Sequence, residues 1–190
     1  MFFAYILAGV LVFWLIAKHM NKQRNHEKAV EKVSGRLKKI CGKPGEVLKN
    51  VTLNLPEGKM TFDVVLMDKR GVYLVRTYGW GIKIYGTPDG AMWRREDAKR
   101  KEEFENPLLE LKKGAAEITK VMEENGVQNL KVMPMVVFAD NFQTPELYLG
   151  YGSFSTTYQE LKSWYKKQSG VKEVQYDYDK VSSIIKELAK

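Results

Sequence analysis

The stretch MTFDVVLMDKRGVYLVRTY, residues 60–78, contains two apolar runs rich in β-branched residues, separated by the polar segment 68–71. Valine, tyrosine and threonine are enriched in strands, whereas aspartate and glycine favour turns. The pattern therefore predicts a β-hairpin with strands over 60–67 and 72–78.

The second predicted strand carries an arginine among apolar neighbours. Arg76 and Tyr78 are two residues apart, so they point to the same face of a pleated strand. A cation on a half-buried strand requires a partner for its charge. The sequence therefore marks Arg76 as a residue of a salt bridge or of a site.

Further elements are predicted on both sides of this hairpin. Before it, Glu46 opens an amphipathic helix through Val47, Leu48 and Val51. After it, the sequence predicts short strands over 81–85 and 90–94, a helix from Pro107 to about Asn125, a buried strand over 132–140, and helices over 156–167 and 179–188. Strands interleaved with helices predict an α/β domain with one mixed sheet flanked by helices.

The N-terminal segment FFAYILAGVLVFWLIA, residues 2–17, contains no charge. As a helix it would be about 24 Å long, a little short of the roughly 30 Å hydrocarbon core of a bilayer, and Lys18 can snorkel at its end. A cleaved signal peptide and a buried core helix are the alternatives. The first lacks a basic n-region and an A-x-A site, and the second is unusual for a helix that is apolar all round. The segment predicts an uncleaved transmembrane anchor over residues 1–17.

The net charge of +8 is concentrated beside this segment. Residues 18–39 hold eight basic and two acidic side chains, which gives +6 and leaves +2 for the rest. Basic residues next to a span favour the cytoplasmic side and anionic lipid. We expect a single-pass protein of the cell membrane, with its N-terminus outside, its domain in the cytoplasm, and a membrane-surface set of Lys18, Lys22, Arg24 and Lys28.

Four regions are predicted along the chain. They are the anchor (1–17), a basic juxtamembrane linker (18–34), a folded domain (35–150) and a C-terminal helical extension that packs on it (151–190). Residues 18 to about 40 fit either a charged linker or an extended helix, and the apolar residues of their second half recur near helical spacing, which predicts that this half packs on the domain, namely Ala29, Val30, Val33, Leu37 and Ile40. His19 and His26 are interpreted as solvated linker residues, and the charged cluster over 94–103 as a salt-bridged helix face. A single cysteine, Cys41, excludes an internal disulfide and a thiolate metal cluster.

Six segments occur in an order that resembles the nuclease-related domain (NERD) family, a branch of the PD-(D/E)XK nuclease superfamily. They cover roughly residues 35 to 140, and they are GKPGE (42–46), FDVVLMDKRGVYLV (62–75), WGIKIYG (80–86), Trp93, ENPLLELK (105–112) and VMPMVVF (132–138). The resemblance implies a restriction-endonuclease-like mixed sheet. It also implies a site in which carboxylates on neighbouring strands hold Mg²⁺ while a lysine assists the attacking water.

Carried onto this sequence, the family's site residues fall on Glu46, Asp63, Arg76, Tyr78 and Glu110. Asp63 matches the hairpin aspartate, and Glu46 matches a helix glutamate. Arg76 and Tyr78 stand where the acidic residue and the lysine of the E-x-K pair are expected, and Glu110 stands at the position of a helix glutamine. Arginine offers no lone pair to a metal, and tyrosine is neutral near pH 7. The resemblance therefore implies a former nuclease site in which Arg76 pairs with Asp63 and Glu46.

Three functions follow from these residues as hypotheses. The first is a catalytically inactive, membrane-anchored interaction or scaffold module with a protein partner and no cofactor. The second is a Mg²⁺-dependent nuclease in which Glu110, Asp68 or Lys83 replaces the lost group. The third is a noncatalytic nucleic-acid-binding module, which the small charge of the domain disfavours.

Overall fold

The computed structural model of this chain describes residues 2–23, 25–140, 143–167 and 176–190. These residues form a mixed α/β fold in which two sheets are flanked by helices. In chain order the elements are α1 (Phe2–Gln23), α2 (His26–Cys41), β1 (Glu46–Leu55), β2 (Gly58–Asp68), β3 (Gly71–Tyr78), β4 (Lys83–Gly86), β5 (Met92–Glu96), β6 (Lys101–Glu105), α3 (Pro107–Glu124), β7 (Val132–Phe138), β8 (Glu146–Leu149), β9 (Ser155–Thr157), α4 (Leu161–Lys167) and α5 (Tyr178–Leu188).

The predicted hairpin is confirmed as β2 and β3, which pair antiparallel from Val64↔Val75 to Asp68↔Gly71. Gly71 has a φ of 137°, and a Cβ there would lie 2.1 Å from the carbonyl oxygen of Lys131, so only glycine fits this turn. The hairpin is the centre of a five-stranded sheet with the order β1-β2-β3-β7-β9. Strands β3, β7 and β9 run parallel, whereas β1 and β2 are antiparallel to their neighbours, so this sheet is mixed.

The predicted helix that begins at Glu46 is wrong, because these residues form strand β1. Asn50 has a φ of 49° inside the strand. Leu48 and Val51 pack against the same core cluster although they are three residues apart, so the strand changes face between them. That change of face imitates helical spacing. The alternation of the buried residues Val51, Leu53 and Leu55 is the strand signal that the prediction missed.

The prediction of a single sheet is also wrong, since the described chain contains a second, four-stranded sheet with the order β6-β5-β4-β8. Strand β6 begins in the charged segment, residues 94–103, for which the sequence predicts a helix face. There Arg95 on β5 forms an ion pair of 2.8 Å with Glu102 on β6, directly across the antiparallel register. Cross-strand pairs of opposite charge stabilise such a hairpin, and they leave the same alternating charges in the sequence as a solvated helix.

Helices cover both faces of the five-stranded sheet. Helix α3, predicted almost to the residue, contributes Leu108, Leu111 and Ile118 to a core cluster with Val72 and Leu74. On the opposite face, α2 and α4 form a second core cluster with alternate residues of the same strands. The two sides of β3 are therefore chemically distinct, and Arg76 continues the α3 side.

The C-terminal region begins with a strand rather than with the predicted helix. Thr156 and Thr157 are buried in β9, where β-branched residues are favoured, and the helix α4 starts only at Leu161. The final helix α5 begins at Tyr178, one residue before its predicted start.

Helix α1 exposes its described side chains, with Tyr5, Leu7 and Phe13 at 73%, 68% and 74%. Among the residues that the structure describes, none of the helices combines the length and the apolar content needed to cross a membrane. The predicted transmembrane helix is therefore not supported.

Helix α2 crosses the predicted boundary between the linker, residues 18–34, and the domain, and it packs on the domain as its helical spacing predicts. It begins at His26, capped by the side chain of Asn25, and it buries Ala29, Val30 and Val33 against the sheet. These apolar residues recur at helical spacing among charged ones, so one face of α2 packs while the other stays in solvent.

Candidate functional site

The guanidinium of Arg76 lies between two carboxylates on the α3 side of β3. Nη1 is 3.4 Å from Oδ1 of Asp63, and Nη2 is 2.7 Å from Oε2 of Glu110. Nη2 also donates to the carbonyl oxygen of Thr61 at 3.1 Å. The side chain of Arg76 is 21% exposed, so this is a partly shielded ion pair at the edge of the core.

Asp63 is almost completely buried and has a partner at both carboxylate oxygens. Oδ2 accepts hydrogen bonds from the backbone N–H of Thr77 at 2.6 Å and from its hydroxyl at 3.1 Å. Oδ1 faces Arg76 and also lies 3.3 Å from Nε2 of His26. These contacts tie β2, β3 and the first turn of α2 to one carboxylate.

The β2–β3 ladder explains why Asp63 is held in this position. The paired residues of β2 and β3 end at Val64↔Val75. The next N–H of β3 that points toward β2 is that of Thr77, and it has no carbonyl of the ladder opposite it. The Asp63 carboxylate takes the place of that carbonyl, which satisfies a backbone donor inside the core. This role is structural and needs no metal.

Glu110 reaches Arg76 because α3 begins at a fixed point. The side chain of Asn106 accepts from the N–H of Leu108 at 3.0 Å and donates to the carbonyl oxygens of Gly90 and Pro88 at 2.7 and 3.2 Å. The cap therefore fastens the start of α3 to the loop before β5. Glu110 sits in the first turn, where the helix dipole favours an acidic residue.

Tyr78 shares the face of Arg76 but belongs to an aromatic cluster. Its ring lies 5.0 Å from that of Phe104 and 5.5 Å from that of Phe138. Burial raises the pKa of Tyr78 to about 12, although Arg76 and Arg95 act in the opposite direction. At neutral pH Tyr78 therefore carries a neutral phenol.

Glu46 is not brought to this site. It stands at the start of β1 opposite Met67, where Oε2 accepts from the hydroxyl of Ser182 and Oε1 pairs with Nζ of Lys186, both at 2.9 Å. Partial burial acts to raise its pKa, but the bonds from Lys186 and Ser182 outweigh burial and the net pKa is lowered. The expected pair of Arg76 with Glu46 is wrong because Glu46 lies on a strand, opposite Met67 and so four residues along β2 from Asp63, and pairs with Lys186 instead.

The residues around Asp63 do not fit Mg²⁺. Within the described ranges, nowhere do three or more histidine, cysteine, aspartate or glutamate side chains gather in a way that could hold a metal ion. The oxygens of Asp63 are committed to Thr77, Arg76 and His26, and a cation already stands between Asp63 and Glu110. A magnesium ion needs several oxygen ligands around it, and a guanidinium supplies none.

The two other candidates for a relocated catalytic group lie elsewhere. Asp68 is at the far end of β2, where its carboxylate accepts from the hydroxyl of Tyr165 and from the N–H of Arg70. Lys83 is on β4 of the four-stranded sheet. Among the contacts of the described residues, Glu110 is the only one of the three candidates that pairs with Arg76, which in turn pairs with Asp63.

His26 is the site residue that sequence reasoning missed. The sequence predicts a solvated linker residue, and the side chain of His26 is indeed 57% exposed, yet it contacts the buried Asp63. The helix-start pattern of Asn25 followed by Glu27 predicts where α2 begins, but only tertiary packing aims the first turn at Asp63. In the membrane-surface set, Lys28 is exposed on α2, while Arg24 and the side chains of Lys18 and Lys22 lie outside the described residues.

Parts of this chain are similar to known proteins. A curated relative, an uncharacterized protein of Bacillus anthracis, is 34% identical over 110 residues, which are 56% of this chain. The chain spans about half the length of that relative, at 51%. No solved structure matches the chain significantly. Residues 22–139 match the nuclease-related domain (NERD), and they include α2, both strands of the hairpin, α3 and β7. The chain therefore belongs to the nuclease-related domain family.

Proposed function

We propose that this chain is a noncatalytic member of its family, attached to the cytoplasmic face of a membrane and acting as an interaction or scaffold module. The observation that carries the proposal is the Arg76 guanidinium, which occupies the space between Asp63 and Glu110. A fixed positive charge at this point repels a divalent cation and satisfies the carboxylates that would bind it.

The proposal includes that the fold descends from a nuclease with a restriction-endonuclease-like fold. It is supported by a hairpin, β2–β3, whose Asp63 and Arg76 face a helix that supplies Glu110. In this interpretation the metal site became a salt bridge, and the carboxylate of Asp63 was kept because it also accepts the N–H of Thr77.

Metal binding and cleavage test the loss of catalysis. The full chain in detergent is titrated with Mg²⁺ and Mn²⁺ by calorimetry, and cleavage of single- and double-stranded DNA is assayed. We expect neither binding nor cleavage. Cleavage that disappears in Asp63→Asn, with the fold intact by circular dichroism, would establish the nuclease alternative instead. Salt-dependent binding of nucleic acid without cleavage would support the nucleic-acid-binding alternative.

A gain-of-function pair tests the ancestry of the site. Arg76→Glu places a third carboxylate between Asp63 and Glu110, and we expect it to acquire Mn²⁺ binding in the high micromolar range or tighter. Arg76→Gln removes the same cation without adding a ligand and serves as the matched control. Equal affinity in the two variants, or none in Arg76→Glu, would argue against a former metal site.

Membrane attachment is proposed from the exposed apolar surface of α1. Ten large apolar residues between Tyr5 and Ile16 are 50% or more exposed, which exceeds the isolated apolar residues of an ordinary protein surface. Basic residues follow α1 in the sequence and favour anionic lipid. The full chain is expected to float with phosphatidylserine vesicles, and a variant without residues 2–23 is expected to remain in solution. Extraction with alkaline carbonate then separates an integral helix from one that lies at the interface.

A protein partner is proposed because aromatic side chains remain exposed on the domain. Tyr148 and Tyr151 are 52% and 106% exposed, in and just after β8, and aromatic residues are enriched where proteins bind each other. A photo-reactive amino acid at position 151 is expected to give a discrete crosslinked species in membranes, whereas the same group at the exposed Lys120 on α3 should not. Identical crosslinking at both positions would contradict a specific surface.

A further inference from the structure

A cleft of about 720 Å³ opens between α2 and α4, beside the turn that joins β2 to β3. Six cationic side chains line it, namely Lys32, Arg36, Lys39, Arg70, Lys162 and Lys166. The single acidic residue of the lining, Glu31, is bound to Lys49 at 2.6 Å. The cleft therefore carries a strong positive charge in a concave site.

The two arginines of the lining lie over tyrosine rings. The guanidinium of Arg36 lies 4.7 Å from the centre of the Tyr158 ring and donates to the carbonyl oxygen of Gln159 at 3.3 Å. The guanidinium of Arg70 lies 4.2 Å from the centre of the Tyr165 ring and donates to its carbonyl oxygen at 2.9 Å. Each arginine has five N–H donors, so stacking fixes the orientation while donors remain for a ligand.

A glycine within α2 leaves the space between the cations free of a side chain. Gly35 is exposed and lines the cleft, and a Cβ added there would meet no atom within 4 Å. Glycine in a helix interior costs about 1 kcal/mol relative to alanine. Since no packing contact explains the glycine, it is consistent with keeping the cleft open.

We propose that this cleft binds a small ligand that carries two or more phosphate groups. Planar guanidinium groups match phosphate oxygens in pairs, and clustered lysines supply further charge. The volume lies within the usual 300–1,000 Å³ range of small-molecule sites. The cleft is on the α2 and α4 face of the sheet, opposite Arg76 and Glu110, so the proposal is independent of whether the chain cleaves DNA.

The phosphates can belong to a soluble nucleotide or to a phosphorylated lipid headgroup. Calorimetry of the full chain in detergent with pyrophosphate and with ATP tests the soluble source. Flotation with phosphatidylcholine vesicles that contain phosphatidylinositol bisphosphate, with and without added pyrophosphate, tests the lipid source. Affinity for at least one of these probes is expected, and it should weaken as the salt concentration rises.

Paired variants separate the cleft from general electrostatics. Lys39→Glu lies in the lining, and Lys38→Glu makes the same change of charge on an exposed neighbour outside it. Gly35→Glu adds a carboxylate to the cleft. We expect Lys39→Glu and Gly35→Glu to weaken binding about tenfold or more, and Lys38→Glu to change it less than about twofold.

Three results would overturn the proposal. The first is that pyrophosphate, ATP and the phosphoinositide vesicles all fail to bind. The second is that Lys38→Glu weakens binding as much as Lys39→Glu, which would show a diffuse charge effect. The third is that single-stranded DNA binds tightly in the same cleft and pyrophosphate does not displace it, which would assign the cleft to a nucleic acid.

Discussion

At the scale of single residues, Arg76 links the three segments that meet at the site. It contacts a β2 carboxylate, a β2 carbonyl and a carboxylate of α3. Breaking a shielded pair by removing one partner leaves the other charge without compensation, which is more damaging than deleting both. The energetic importance of Arg76 therefore depends on how deeply each of its partners is buried.

Replacement of Arg76 by methionine keeps most of the side-chain volume and removes the charge. We expect the free energy of unfolding to fall by about 2 kcal/mol, because Asp63, whose side chain is 5% exposed, loses a cation. Glu110→Gln should cost less than about 1 kcal/mol, since the side chain of Glu110 is 48% exposed. Urea denaturation followed by circular dichroism measures both, and a larger loss in Glu110→Gln would contradict this ranking.

We expect the ion pair of Glu46 with Lys186 to contribute to stability in a pH-dependent way. The folded-state pKa of Glu46 is lowered below the ordinary value of 4.5, since Lys186 and Ser182 outweigh the opposing effect of burial. The contribution is therefore fully present above pH 4.5, and it is lost as the pH falls through the lower folded-state pKa. Glu46→Gln should destabilise the protein by about 0.5–1 kcal/mol at pH 7 and by much less at pH 3. Urea titrations at the two pH values test this, and an equal loss at both would exclude the ion pair as the cause.

At the scale of elements, α3 approaches the sheet closely through a glycine. A Cβ at Gly114 would lie 2.8 Å from Cζ of Phe62, a fully buried ring. Helix α2 has a glycine too, but Gly35 faces open space. The same residue type is thus required for packing in one helix and dispensable for packing in the other.

The two glycines give opposite predictions for the same substitution. Gly114→Ala gains about 1 kcal/mol of helix propensity but forces Phe62 to move, and overpacking costs about 1–3 kcal/mol, so we expect a net loss near 1 kcal/mol. Gly35→Ala should raise stability by about 0.5–1 kcal/mol. Thermal unfolding of both variants beside the parent chain tests the pair. A stabilised Gly114→Ala would mean that the ring can relocate.

At the scale of the whole molecule, helix α2 packs as part of the core. The match to the family starts at residue 22, and α2 supplies Ala29, Val30, Val33 and Leu37 to one of the two core clusters. Helix α2 also brings His26 to Asp63 and forms one side of the basic cleft. The predicted boundary between residues 34 and 35 would divide this helix.

Two truncations test where the folded unit begins. A chain that starts at Asn25 keeps the cap of α2, and we expect its urea midpoint to match that of the full chain in the same detergent. A chain that starts at Ser34 loses Ala29, Val30 and Val33 from the core, which should cost about 4 kcal/mol or more. If the shorter chain unfolded at the same midpoint with the same slope, α2 would not belong to the cooperative unit.

The hairpin β2–β3, helix α3 and strand β7 could be predicted from the sequence because their signals are local. Apolar runs with turn residues between them define the strands, and Asn106, Pro107 and Gly126 mark the ends of α3. Strand β1 was missed despite the alternation of Val51, Leu53 and Leu55, because its change of face at Asn50 imitates a helix. Strand β6 was missed because its charges are satisfied across the sheet by Arg95 and its neighbours rather than along a helix.

For the site, the sequence by itself determined which side chains are present, and above all that an arginine and a tyrosine stand two residues apart on one strand. Only the tertiary structure decided the partners of Arg76: Asp63 is thirteen residues away and Glu110 thirty-four. It also decided that Glu46 pairs with α5, that His26 reaches Asp63, and that cations from α2, α4 and the β2–β3 turn share one cleft. The physical reason is the range of the interactions. Strand and helix patterns arise between near neighbours in the chain, whereas ion pairs and clefts form between segments that meet only when the apolar faces of the sheet are covered.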